Sequence, residues 1–117
     1  MNKTDTAQTV WKVLTILADE LDRDAPLLQS LALAKIASHG EMGMDQGRLM
    51  DDLKTSSASA SRTVQTLGTT HYLKDREGYG LVERQFDPVD NRKRTLRLTP
   101  KGERVMAKLQ AVLEGKK

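Results

Sequence analysis

Between Leu81 and Glu103 the chain changes local structure three times without spare residues, and this tract limits the folds open to it. Leu81-Val82-Glu83-Arg84-Gln85-Phe86 reads as a strand. Asp87-Pro88-Val89-Asp90-Asn91-Arg92 is rich in turn formers, with Asp87-Pro88 suited to fix the reversal. In Arg94-Thr95-Leu96-Arg97-Leu98 the leucines alternate with Thr95 and Arg97, as in a returning strand with one face buried. Thr99 then offers a helix cap and Pro100 a first helical residue. Glu103 sits one position past the capping-box spacing.

Upstream, the spacing predicts helices. Val10, Leu14, Leu17 and Leu21 recur at helical intervals within a first helix over residues 5–23, widened by Trp11, Val13 and Ile16. Lys12, Asp19, Glu20 and Asp22 occupy its other side. Pro26 begins a second helix, 26–39, which is apolar on most faces and is expected at the centre of the core. Residues 40–44 are a connector. Asp45 can cap a third helix whose Leu49, Met50 and Leu53 face inward. Lys54-Thr55 is a tight turn, and Ser56 can cap a fourth helix that stops at Gly68. Two short helices so closely joined make residues 45–67 a helix-turn-helix. A final helix, 99–114, carries Val105, Leu109 and Val112 as its apolar seam, with Met106 and Leu113 beside it. The whole, residues 1–117, is read as one domain.

Composition narrows the function classes. The chain has no cysteine and only two histidines, His39 and His71, so neither disulfides nor a structural zinc site is expected. The N-terminus lacks a signal-peptide apolar run, and the most apolar stretch, 27–37, is too short to span a bilayer, so a cytoplasmic, membrane-free protein is expected. There is no nucleophile–base pair, no Gly-rich phosphate loop and no metal cluster, so the chain reads as a non-enzyme that needs no cofactor. Residues 1–40 and 41–80 each carry a net charge of −1, whereas residues 81–117 carry ten Lys and Arg against five Asp and Glu. Charge gathered in one third of a chain favours a polyanionic partner.

A helix-turn-helix lays its second helix in the major groove, where small polar residues permit close approach and donors meet phosphates and base edges. The helix that begins at Ser56 has this character, and Ser56, Ser57, Ser59, Ser61, Arg62, Thr63, Gln65 and Thr66 are the candidate contacts to double-stranded DNA. The hairpin tip adds Asp90, Arg92, Lys93 and Arg94, in which Asp90 can pair with Arg92 and hold it extended.

The tract from Asp87 to Gly102 resembles the wing signature of the MarR family of transcriptional regulators, D-P-x-D-x-R followed by alternating apolar residues and L-T-x-x-G. Gly80-Leu81-Val82-Glu83-Arg84 is similar to the family's approach to the wing. Leu49–Leu53 and Ser61–Leu67 resemble its helix-turn-helix. The resemblance implies a mainly α fold with a small β-hairpin wing over residues 81–98, a winged helix-turn-helix flanked by N- and C-terminal dimerisation helices. It implies a homodimer on a palindromic operator, usually as a repressor, with contacts at Ser57, Ser59, Ser61 and Arg62 and a minor-groove role for Arg92 oriented by Asp90.

The sequence departs from the pattern in an inserted segment, 68–80, for which a further hairpin turning at Glu77-Gly78 is expected, and in Asn91, where a basic residue is usual. The chain ends soon after its last helix, which places the dimer surface on Val10, Trp11, Leu14, Leu17, Leu21, Val105, Leu109 and Val112. One Trp, one Phe and two Tyr are a poor supply for an aromatic pocket, so a small-molecule effector is left open. The competing reading is a winged helix that binds an acidic protein partner, and steep salt dependence on duplex DNA separates the two.

Overall fold

The computed structural model describes residues 2–69, 77–90 and 92–115. Five helices and a three-stranded antiparallel sheet follow in the order α1 (Lys3–Glu20), α2 (Leu27–Ala37), a 3-10 turn (Gly40–Met42), β1 (Met44–Asp45), α3 (Gln46–Leu53), α4 (Ser57–Leu67), β2 (Val82–Phe86), β3 (Arg94–Leu98) and α5 (Pro100–Leu113). This is the mainly α winged helix that the sequence led us to expect.

Local hydrogen bonds set most of the boundaries. The Asp45 carboxylate accepts from the Arg48 amide at 3.2 Å, and the Ser56 hydroxyl accepts from the Ser59 amide at 3.1 Å, so α3 and α4 each begin at the expected cap. Lys54 closes α3 in the left-handed region, φ 55°, which lets the chain reverse within Lys54-Thr55. At α5 the Thr99 hydroxyl accepts from the Gly102 amide and donates to the Gly80 carbonyl, joining the helix start to the chain that enters the wing.

Several expected boundaries shift. α1 starts at Lys3 because Asn2 caps it, accepting from the Asp5 amide at 2.8 Å. It ends at Glu20, where Leu21 leaves helical geometry and Asp22 opens a turn closed by the Ala25 amide. Pro26 is the cap of α2 rather than its first residue. α2 is also less central than its composition suggested: Ala32, Leu33 and Ile36 are buried, while Leu27 and Leu31 remain exposed. The expected connector 40–44 contains a 3-10 turn and the start of a strand, since Met44 and Asp45 pair with Leu96 and Thr95.

β3 is the central strand, in the order β1-β3-β2. Leu33 and Ile36 from α2, Met44, Leu49, Val64, Leu67, Leu81, Val82, Leu96 and Val105 form one core, against which the partly buried Val13, Ile16 and Leu17 of α1 pack. Burial of side chains of this kind is worth roughly 1.5–3 kcal/mol each. The hairpin expected at Glu77-Gly78 depends on residues 70–76, which lie outside the described residues. The described chain on either side of them is held close: the Gly78, Gly80 and Leu81 amides donate to the Thr69, Gly68 and Leu67 carbonyls at 3.2, 2.8 and 2.8 Å.

Candidate nucleic-acid interface

The rotation of α4 decides which of its polar residues are available. Ala60, Val64 and Leu67 face the core, and with them Thr63 and Thr66. Each of these threonines donates its hydroxyl to the carbonyl four residues back, Ser59 at 2.8 Å and Arg62 at 2.9 Å. The sequence suggested both as DNA contacts; the structure argues against this, because both side chains are buried and each hydroxyl proton is donated within the helix, which leaves no donor for a duplex. The open stripe is Ser57, Ala58 and Arg62, exposed or partly so, with Ser59, Ser61 and Gln65 beside them. Ser56 is exposed but its hydroxyl is engaged as the cap.

The wing tip is tied by carboxylates. Asp87 accepts from the Val89 and Asp90 amides at 2.8 and 3.0 Å, and these bonds, first from Asp90 and then from Val89, hold its carboxyl below the usual carboxylate range. The Lys93 amide donates to the Asp90 carbonyl and the Asp87 amide to the Lys93 carbonyl, each at 3.0 Å. Asp90 accepts from the Arg92 amide at 3.1 Å and its Nε at 3.4 Å, so the expected pair forms. The Arg92 side chain nevertheless stays 90% exposed. Asn91 lies outside the described residues.

The structure brings helix and tip together. Gln46 and Gly47 of α3, Ser57 of α4 and Arg92, Lys93 and Arg94 line one cleft of about 360 Å³. The N-terminal ends of two helices, where backbone N–H groups outnumber their partners, thus face the wing cations. Sequence reasoning missed Arg84 and Gln46, which meet at 3.4 Å from Nη1 to Oε1 across the root of the wing. Burial, followed by the nearby Arg94 charge, lowers the Arg84 pKa. The signal available was the alternation in β2, which places Arg84 on the same side as buried Val82.

The residues expected at a dimer surface differ in how far the protomer itself buries them. Leu17 and Leu21 pack against the core, and Val105 and Leu109 are buried within it, so the protomer itself uses them. Val112 is half-buried. Val10, Trp11 and Leu14 remain open on α1, with Trp11 71% exposed. Among the described residues no helix is long and apolar enough to cross a membrane.

No family model matches the sequence, and no curated protein matches it. Solved structures do. The chain is similar to MepR of S. aureus in its complex with DNA, with a TM-score of 0.72, 18% identity, and 94% of this chain and 79% of that one covered. It is similar to MarR, with a TM-score of 0.60 at 23% identity over 93% of this chain and 72% of that one. A third likeness is to the PcaV transcriptional regulator of Streptomyces coelicolor in complex with its natural ligand, with a TM-score of 0.60 and 22% identity, covering 93% of this chain and 68% of that chain. At such identities the likeness establishes the fold, a winged helix of MarR type.

Proposed function

We propose that this chain, MarR-like in fold, is a sequence-specific regulator that binds double-stranded DNA as a homodimer and represses transcription from a palindromic operator. The observation that carries the reading is the shared cleft of α4 and the wing, in which Ser57 and the cations Arg92, Lys93 and Arg94 face one space. α4 enters the major groove with Ser57, Ser59, Ser61, Arg62 and Gln65 along its accessible side, and Arg92 reaches the adjacent minor groove with Asp90 fixing its direction. The DNA complex known for MepR supports the docking by analogy of fold.

A second copy covers Val10, Trp11 and Leu14, which are exposed apolar side chains in the protomer. A symmetric dimer then presents two α4 helices to half-sites about 34–36 Å apart. The protein is a cytoplasmic non-enzyme in this reading.

Footprinting on the DNA that flanks the protein's own gene, together with a salt titration of the affinity, tests it. The expected result is protection of two related half-sites and a steep loss of affinity with salt. Absence of duplex binding at low salt by a folded dimer would refute the proposal. Salt-sensitive capture of an acidic protein instead would favour the protein-binding reading.

A further inference from the structure

Phe86 has no part in the DNA contacts assigned to α4 and the wing tip, yet it is the exposed aromatic residue of the wing, and two guanidinium groups lie over it. Directly opposed residues of an antiparallel pair point to the same side of the sheet. Val82 and Leu98, Arg84 and Leu96, and Phe86 and Arg94 are such pairs, so all six share one face. That face is apolar at its root, where Val82 and Leu96 are buried, and becomes aromatic and cationic toward the tip.

The Arg94 guanidinium carbon lies 4.6 Å from the Phe86 ring centroid, and that of Arg84 lies 6.0 Å from it. Arg94 also donates to the Arg92 carbonyl at 2.9 Å, and Arg84 to Gln46. Among the described residues neither guanidinium has a carboxylate within ion-pair distance. Two cations gathered on one ring with no carboxylate at ion-pair distance favour an anionic partner. Two clefts between α4 and the wing flank this face: one contains Ser57 and Arg94, with Asp45 in its lining, and one of about 380 Å³ contains Gln65, Arg84 and Phe86, with Glu83 in its lining.

We propose that Phe86 is a positioning residue, whose ring holds Arg94 and Arg84 ready for the sugar-phosphate backbone of a duplex lying between α4 and the wing. The inference rests on the DNA-binding reading. A stacked guanidinium keeps its N–H edge free for phosphate while its plane is supported by the ring. The stacking also takes up, in the free protein, rotamer freedom that Arg94 would otherwise give up on binding. Phosphate contacts made in this way set affinity and register and are indifferent to sequence.

The test is fluorescence anisotropy with a random-sequence duplex over a salt series, for the full chain and its variants. Phe86→Leu flattens the dependence of log K on log salt by about 0.9 for each phosphate that is no longer neutralised. Phe86→Tyr, which retains the ring, recovers most of the slope. Arg94→Gln abolishes the Arg94 share of the same phosphate interaction, so adding Phe86→Leu to Arg94→Gln costs less than Phe86→Leu costs alone. Should Phe86→Leu fail to fold, Phe86→Met removes the ring at similar volume. An unaltered slope in the leucine or methionine variant, or full additivity with Arg94→Gln, overturns the positioning role alone. A folded wild type that binds no duplex overturns the DNA-binding reading together with it.

Discussion

Gly102→Ala puts the joint between the wing and α5 to the test, because two effects of opposite sign compete there. Alanine is favoured over glycine inside a helix by up to about 1 kcal/mol, and Gly102 lies in the first turn of α5, so propensity alone predicts a more stable protein. The space available predicts the reverse. A Cβ at Gly102 would stand 2.2 Å from the Leu81 carbonyl oxygen and 3.2 Å from both the Leu81 carbonyl carbon and the Leu98 Cβ. The obstacle is backbone, which cannot swing aside as a flexible side chain would. Relief requires α5 to move by about 1 Å, an overpacking cost of roughly 1–3 kcal/mol. The same movement stretches the bonds from the Thr99 amide to the Leu81 carbonyl, 3.0 Å, and from the Thr99 hydroxyl to the Gly80 carbonyl, 2.6 Å. At roughly 0.5–1.5 kcal/mol for each bond, the clash outweighs propensity and leaves a net loss of about 1–5 kcal/mol, centred on about 3 kcal/mol. For a chain of this length that lowers the melting temperature by roughly 10 °C. Urea denaturation and thermal melts at one fixed protein concentration measure it, and Ala107→Gly on the exposed side of α5 reads the propensity effect separately. A Gly102→Ala variant as stable as the parent, or more so, would show that the close approach of α5 to Leu81 is not needed, and the reasoning fails.

Other consequences can be checked at the interface and the tip. Arg92→Ala lowers duplex affinity by roughly 1–3 kcal/mol with an unchanged melt, since the side chain is 90% exposed; unchanged binding by the folded variant removes the wing from the mechanism. Arg62→Ala weakens binding in the same assay, whereas Thr63→Val, at a buried position, changes stability by no more than about 1.5 kcal/mol and leaves affinity intact. Trp11→Glu converts a dimer into a monomer by sedimentation, and a wild type that already sediments as a monomer refutes the two-half-site model. The Asp87 carboxyl is depressed by the Asp90 and Val89 amides, so its contribution to the tip is present above the unfolded carboxylate pKa and is lost as pH falls through the lower folded value. The Val89 and Asp90 amide resonances are therefore expected to titrate below the ordinary aspartate range, and a midpoint at the ordinary value contradicts the turn geometry.

What could be read from the sequence was local. Asp45, Ser56 and Thr99 were legible as caps because a cap is decided within three residues, and each forms the predicted bond. The alternation at Leu96 and Leu98 located β3 for a similar reason. β1 was not legible: Met44 and Asp45 are too few to show a period, and their strand character comes from Leu96 and Thr95, far along the chain. Thr63 and Thr66 misled because hydroxyl residues read as surface, whereas a bond to the carbonyl four residues back lets them be buried. The open side of α2 was hidden too, since composition cannot say which leucines find partners.

The displaced glutamate of α5 joins these two levels. A capping box would place glutamate at the third residue of the helix, where this chain has Gly102, with Glu103 following. From sequence this is an imperfect motif. In the fold it has a cause: the third position is where α5 meets the Leu81 carbonyl, and no side chain fits there. Thr99 remains the cap and takes a second partner, the Gly80 carbonyl, in place of the reciprocal glutamate bond. Leu81 is in turn bonded through its amide to Leu67 at the end of α4. A single residue thus connects the end of the helix proposed to read DNA, the root of the wing and the start of α5. The glycine that weakens the local helix signal is what allows the wing to be held in register with α4, and a wing so held can present Arg92 and Arg94 at a fixed distance from Ser57.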